Sequence, residues 1–138
     1  MKNFFLRLQK LHQLLSKKKL HGLLIPYADE YQNEYTPPCA KRLAWLTGFT
    51  GSAGMCIVNR KGSSSLFIDG RYTIQARREV DQKSYELRPL SLKEIGRWLE
   101  KNFVKGNKIG LDARLHPIPE IQYIKRICRK RSIGLEIC

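Results

Sequence analysis

The sequence predicts an α/β domain, a mixed β-sheet flanked by helices in three layers. Three observations carry that expectation. Short apolar runs of strand length recur along the chain. Segments with helical apolar spacing lie between most of them. One pair of runs, 55–59 and 65–69, is joined by "RKGSS", which has hairpin turn chemistry and so puts an antiparallel pair into the sheet. At 138 residues the chain reads as a single domain, 1–138, long enough to bury a core without disulfides.

Taken in order, Phe4, Leu8, Leu11 and Leu15 repeat at helical spacing over residues 4–20, with Arg7, Lys10 and Lys17–Lys19 on the other side. His21-Gly22 is the expected stop. "LLIP" (23–26) is a short strand closed by its proline. Residues 27–38, "YADEYQNEYTPP", are acidic and aromatic without a clean period and read as a loop. Residues 39–47 make a short helical piece carrying Leu43, Trp45 and Leu46, which "GFTGSAG" (48–54) breaks. The hairpin strands follow, then a helix at 71–80 and a strand at 84–90. Ser91 with Glu94 forms a capping box for a helix at 91–103, whose stripe is Ile95, Trp98 and Leu99. Gly106-Asn107 turns into a strand at 108–112. Prolines begin a helix at 116–131 with Ile121, Ile124 and Ile127/Cys128 inward. A last strand spans 134–137.

The charge is lopsided: 26 Lys and Arg against 12 Asp and Glu, net +14. That raises nucleic acid or an acidic surface as a partner. The cations are dispersed, however, in "SKKK" (16–19), "KRICRKR" (125–131) and singly elsewhere, so a basic surface without a specific nucleic-acid partner is the expectation. Cys39, Cys56, Cys128 and Cys138 show neither C-x-x-C nor zinc spacing. They read as free thiols in a reducing, cytoplasmic compartment. The N-terminus lacks a signal-peptide core, and no apolar run approaches the roughly 20 residues needed to span a bilayer.

Chemistry-bearing motifs are few. Glycines 48, 51 and 54 lack the preceding strand, following helix and Gly-Lys-Ser/Thr ending of a phosphate loop. Ser52 has Thr50 where a nucleophile elbow needs glycine. His12, His21 and His116 are isolated, with no spacing that suits a metal. The remaining candidate is Asp69-Gly70-Arg71-Tyr72, between strand and helix. Asp-Gly makes a turn unaided. Arg71 places a positive charge at a helix start, against the dipole. Both a plain surface corner and a guanidinium aimed at a ligand remain open.

Three stretches, "GLLIPYADEYQNEYTPPCAKRLAWLTGFTGSAGMCIVN", "LFIDGRYTIQA" and "KIGLDARLHPIPEI", resemble the creatinase/prolidase-type N-terminal domain of long-form Xaa-Pro aminopeptidases (aminopeptidase P). The resemblance covers nearly the whole chain. It implies a mixed sheet flanked by helices and a parent activity, removal of the residue preceding proline at a peptide N-terminus. In such enzymes two metal ions, usually manganese, activate water, held by a separate C-terminal "pita-bread" domain. This chain is expected to lack that domain, to carry no cofactor and no catalytic residue of its own, and to be inactive alone. Its implied partners are a catalytic aminopeptidase domain or chain and, in that setting, a proline-containing peptide. The resemblance also implies that Arg71 contacts substrate at the edge of the active site, with Asp69 and Gly70 setting its direction and Tyr72 beside it. Tyr31 in "DEYQ" stands where the family often has His, which removes whatever hydrogen bond that imidazole makes.

Overall fold

A computed structural model describes residues 2–27 and 42–137. The elements are α1 (Lys2–Lys17), β1 (Gly22–Pro26), α2 (Arg42–Thr47), β2 (Gly54–Asn59), β3 (Ser64–Ile68), α3 (Thr73–Glu79), β4 (Tyr85–Pro89), α4 (Leu92–Asn102), β5 (Lys108–Leu111), α5 (Ile118–Lys130) and β6 (Gly134–Ile137). The acidic loop expected over 27–38 lies, apart from Tyr27, outside the described residues, as do Cys39 and Cys138.

Six strands form one sheet in the order β4-β3-β2-β1-β5-β6. β2 runs antiparallel to β1 and to β3; the β3–β4, β1–β5 and β5–β6 pairs are parallel. Five strands therefore point one way and end along a common C-terminal rim. β2 alone begins there, Gly54 standing opposite Ile68.

Strand alternation splits the core in two. Cys56, Val58, Leu66 and Ile68 face the layer of α1, α2 and α3, where Leu8, Leu15, Leu43, Leu46 and Ala76 meet them. Met55, Ile57 and Phe67 face α4 and α5, against Trp98, Leu99, Ile124 and Cys128. Phe67, Trp98 and Phe103 stack edge-on, with centroids 6.3 Å and 5.9 Å apart. The expected three-layer α/β fold is the observed one. Cys56 and Cys128 are buried free thiols, as their apolar neighbours predict. Burial pushes both thiols up, Cys128 to about 11. Among the described residues no helix is long and apolar enough to cross a membrane.

Several boundaries differ from expectation. The first helix, expected over 4–20 with its stop at His21-Gly22, ends at Lys17, and Lys19 beyond it takes the left-handed conformation (φ 59°). The Leu20 N–H then closes the end on the Leu15 carbonyl at 2.8 Å. Gly22 is instead inside β1, where a Cβ would lie 2.6 Å from the Phe103 ring and 2.9 Å from the Val58 carbonyl oxygen. Close approach, not turn geometry, requires glycine there. The helix expected over 71–80 is a 3-10 turn, Gly70–Tyr72, followed by α3. A second 3-10 turn, Ala113–Leu115, precedes α5. The Ser91 cap is made, its Oγ accepting from Glu94 N–H at 3.1 Å. The Glu94 carboxylate does not complete the box but pairs with Arg88 (3.3 Å) and Arg97 (3.1 Å).

Replacing Gly22 by Ala should lower unfolding free energy by about 1–3 kcal/mol through overpacking. Gly70→Ala, where nothing lies within 4 Å of a Cβ, should stay within about 0.5 kcal/mol. Urea unfolding of the two variants checks the contrast.

Candidate functional site

β3 leaves the sheet at the C-terminal rim after five buried residues. Asp69 is extended (φ −66°, ψ 144°), and its carboxylate accepts from Arg71 N–H at 2.9 Å. The Asp69 carbonyl accepts from Tyr72 N–H at 2.9 Å, and Thr73 Oγ1 donates to the Gly70 carbonyl at 3.0 Å. This Asx-type turn is the local reason the chain bends here. Thus Asp69 does fix the corner, whereas Gly70 has open space around it and an unstrained backbone.

Arg71 is two-thirds exposed, its Nε 3.4 Å from Asp69 Oδ1. Its guanidinium lies 5.0 Å from the centroid of the Tyr72 ring. The Asp69 charge offsets the adverse position of a cation at the start of α3. The guanidinium nitrogens make no hydrogen bond among the described residues, so the planar donor fork is available at the rim.

Tyr72 is the link inward. Its ring meets Phe49 edge-on, with centroids 5.7 Å apart and planes at 83°. Its hydroxyl shares a short hydrogen bond with Ser52 Oγ. Hydrogen bonding to Ser52, and to a lesser degree the Arg71 charge, pulls the Tyr72 phenol below its ordinary value. Ser52 is therefore a support for the corner, in keeping with the missing nucleophile-elbow spacing.

The glycine-rich connection is fastened to α3 as well. Glu79 accepts from Thr50 N–H (3.0 Å) and Thr50 Oγ1 (2.6 Å), and Gln75 donates to both Thr50 Oγ1 (2.8 Å) and Glu79 (3.1 Å). Gly48 has φ 84°, and a Cβ on Gly51 would fall 2.3 Å from the Phe49 ring. Backbone conformation and packing account for these glycines.

The histidines do not converge. His12 lies within α1, and burial lowers its pKa. His21 Nδ1 accepts from Lys108 N–H at 3.0 Å. Burial first, then the charges of Arg60, Lys61 and Lys108, lower its pKa. His116 is buried with Nδ1 3.4 Å from Glu120. Among the described residues no three His, Cys, Asp or Glu side chains are placed to hold a metal ion, so the di-metal centre of the resembled enzymes does not fit these residues. Tyr31 and the acidic residues Asp29, Glu30 and Glu34 lie outside the described residues.

Sequence reasoning missed a second corner. At the end of β5, Asp112 Oδ1 accepts from Arg114 N–H (3.0 Å) and Nε (3.2 Å), and its Oδ2 lies 3.1 Å from the same guanidinium. The side-chain hydrogen bond from Arg114 leads in holding the Asp112 carboxyl below the usual range, with further help from the Arg42 charge. The signal was available: Asp-x-Arg follows a strand in both places. Three strand intervals separate β3 from β5, about 14 Å at the usual spacing.

Fold and corner define the class: a three-layer α/β domain with an arginine presented at the C-terminal rim of its sheet. Residues 7–134 match the Creatinase/Prolidase N-terminal domain family, and the chain belongs to that family. It is 37% identical over 112 residues to a probable Xaa-Pro aminopeptidase P of Laccaria bicolor, covering 79% of this chain and 17% of the relative. It is 32% identical over 132 residues to Xaa-Pro aminopeptidase 1 of Dictyostelium discoideum, covering 94% and 21%. The chain thus spans about a fifth of the length of these relatives. Among solved structures, X-prolyl aminopeptidase of Caenorhabditis elegans, described as a cytosolic enzyme with a di-nuclear active site, superposes with a TM-score of 0.87 at 24% identity, covering 100% of this chain and 24% of that one. The N-terminal domain of the cytoplasmic peptidase PepQ of Mycobacterium tuberculosis gives 0.72 at 20% identity, covering 96% and 92%. At these identities the structural likeness concerns the fold.

Two tests follow from this geometry. Glu79→Ala should speed amide hydrogen exchange across 49–53 while leaving β2 and β3 protected, at a cost of about 0.5–1.5 kcal/mol for the lost bonds; unchanged exchange would show that Glu79 does not hold the connection. Asp112 has a depressed folded-state pKa, so its pairing stabilises the fold above the unfolded carboxylate value of about 3.9 and is lost as pH falls through the lower folded value. Because Arg114 is exposed, the effect should be only about 0.2–1 kcal/mol. Asp112→Asn should accordingly lower Tm at neutral pH, and the difference should vanish in acid.

Proposed function

We propose that residues 1–138 form the non-catalytic N-terminal domain of a cytoplasmic Xaa-Pro aminopeptidase. The observation that carries the reading is the D-G-R-Y corner: an exposed guanidinium, anchored by Asp69 and Tyr72, at the C-terminal rim of a fold belonging to the creatinase/prolidase N-terminal family. In this reading Arg71 borders the substrate entrance of a catalytic domain or separately encoded chain. Its donor fork suits the carbonyl or carboxylate groups of a peptide. Bond cleavage belongs to that partner, whose metal ions, manganese in the family reading, would activate the attacking water. What this chain's residues do is orient and bind: Asp69 directs the turn, Tyr72 carries the ring under the guanidinium, and Ser52 and Phe49 hold Tyr72.

The purified chain with manganese and an Xaa-Pro peptide should give no turnover above a metal blank. Grafted in place of the first domain of a long-form aminopeptidase, it should restore proline-specific cleavage. Arg71→Ala in that chimera should raise KM more than it lowers kcat. Turnover by the isolated chain would overturn the non-catalytic reading, and an unchanged KM would remove Arg71 from the substrate.

A further inference from the structure

A groove of about 510 Å³ runs beside β4, the open edge of the sheet. Gly70 and Thr73, Arg77 on α3, Lys83, and Glu86 and Arg88 of β4 are among the residues that line it. It shares Gly70 and Thr73 with the Asp69–Tyr72 corner, but Asp69, Arg71 and Tyr72 do not line it.

The strand's backbone has one side committed. Leu90 N–H donates across the sheet to the Ile68 carbonyl at 2.9 Å, and Ser65 Oγ donates to the Glu86 carbonyl at 3.0 Å. Alternation along a strand then turns the N–H and C=O of Leu87 away from β3. No residue among those described bonds these two groups. Pro89 supplies a carbonyl but no N–H, which limits how far the pairing can extend.

The charges lining the groove are unequal. Glu86 is already paired with Arg88 at 2.6 Å, and Arg88 reaches Glu94 as well. Arg77 and Lys83 are exposed and have no carboxylate partner among the described residues. The groove thus joins an unpaired strand edge to two uncompensated cations.

We propose that β4 receives an extended acidic peptide segment as an added strand. Leu87 supplies the paired main-chain bonds, and Arg77 and Lys83 select carboxylate side chains. A second copy of this chain is the less suited occupant. Two β4 edges pairing about a two-fold axis would bring the same cations toward each other, which disfavours association.

The experiment uses the full chain and a short fluorescein-labelled peptide alternating Glu with Thr and Val, read by anisotropy at low salt. Binding should weaken about tenfold or more for the Arg77→Glu, Lys83→Glu double variant and for a lysine analogue of the peptide, as charge complementarity requires. The same peptide with alternate amides N-methylated should not bind. Amide exchange at Leu87 should slow when the unmodified peptide is present. Equal binding of the N-methylated peptide, absence of binding at millimolar peptide, or sedimentation showing the β4 edge occupied by a second copy would each overturn the assignment.

Discussion

β2 runs against both of its neighbours, and burial on both faces holds it there. Met55, Cys56, Ile57 and Val58 are all buried, two toward each helical layer. Because this strand is reversed, its entry lies at the same rim where β3 exits. The glycine-rich connection and the Asp69–Tyr72 corner are thereby brought side by side. Had β2 run parallel, Ser52 would open at the opposite end of the sheet from Tyr72. The hairpin's direction is the constraint on which the candidate site depends.

Upon that framework the corner is fixed by several small terms instead of one large one. An exposed hydrogen bond or ion pair contributes only modestly, since water competes for the same groups. Tyr72 gathers three of them: the edge-on packing against Phe49, the hydroxyl shared with Ser52 and the guanidinium above its ring. Glu79 ties the other end of the same connection through Thr50. The outcome is a flexible side chain, Arg71, seated on backbone and rings that are held from two directions. Such support matters for a recognition group, because orientation already fixed before binding need not be paid for in entropy.

The strands and helices were legible because each buries a face, and burial leaves a period in the sequence. Ile95, Trp98 and Leu99 on α4, and the apolar runs of β2 and β3, announced themselves in this way. The strand order was not legible, since β1 pairs with β5 through contacts that no local pattern encodes. Gly22 misled for a related reason: its neighbours Phe103 and Val58 are remote in sequence, so glycine looked like a helix stop when it was clearing space for a ring. At the site, residue chemistry left Arg71 open between a surface cation and a ligand-facing one, and family resemblance alone supplied its role. The Asp112–Arg114 corner carried the same local signature inside a stretch that resembles the family, and was passed over because the resemblance attached no role to it.

The position of β1 between β2 and β5 has a consequence for how the chain comes together. His21, at the threshold of β1, receives the amide of Lys108 across 87 positions of sequence. One flank of β1 can pair with β2 soon after both are made, but the other waits for the late strand. Closing so long a loop is entropically slow, and a half-paired apolar strand is open to the wrong partner meanwhile. During synthesis, therefore, the first half of the molecule should exist for a time as an incomplete sheet, with the inner edge of β1 exposed until β5 emerges to cover it.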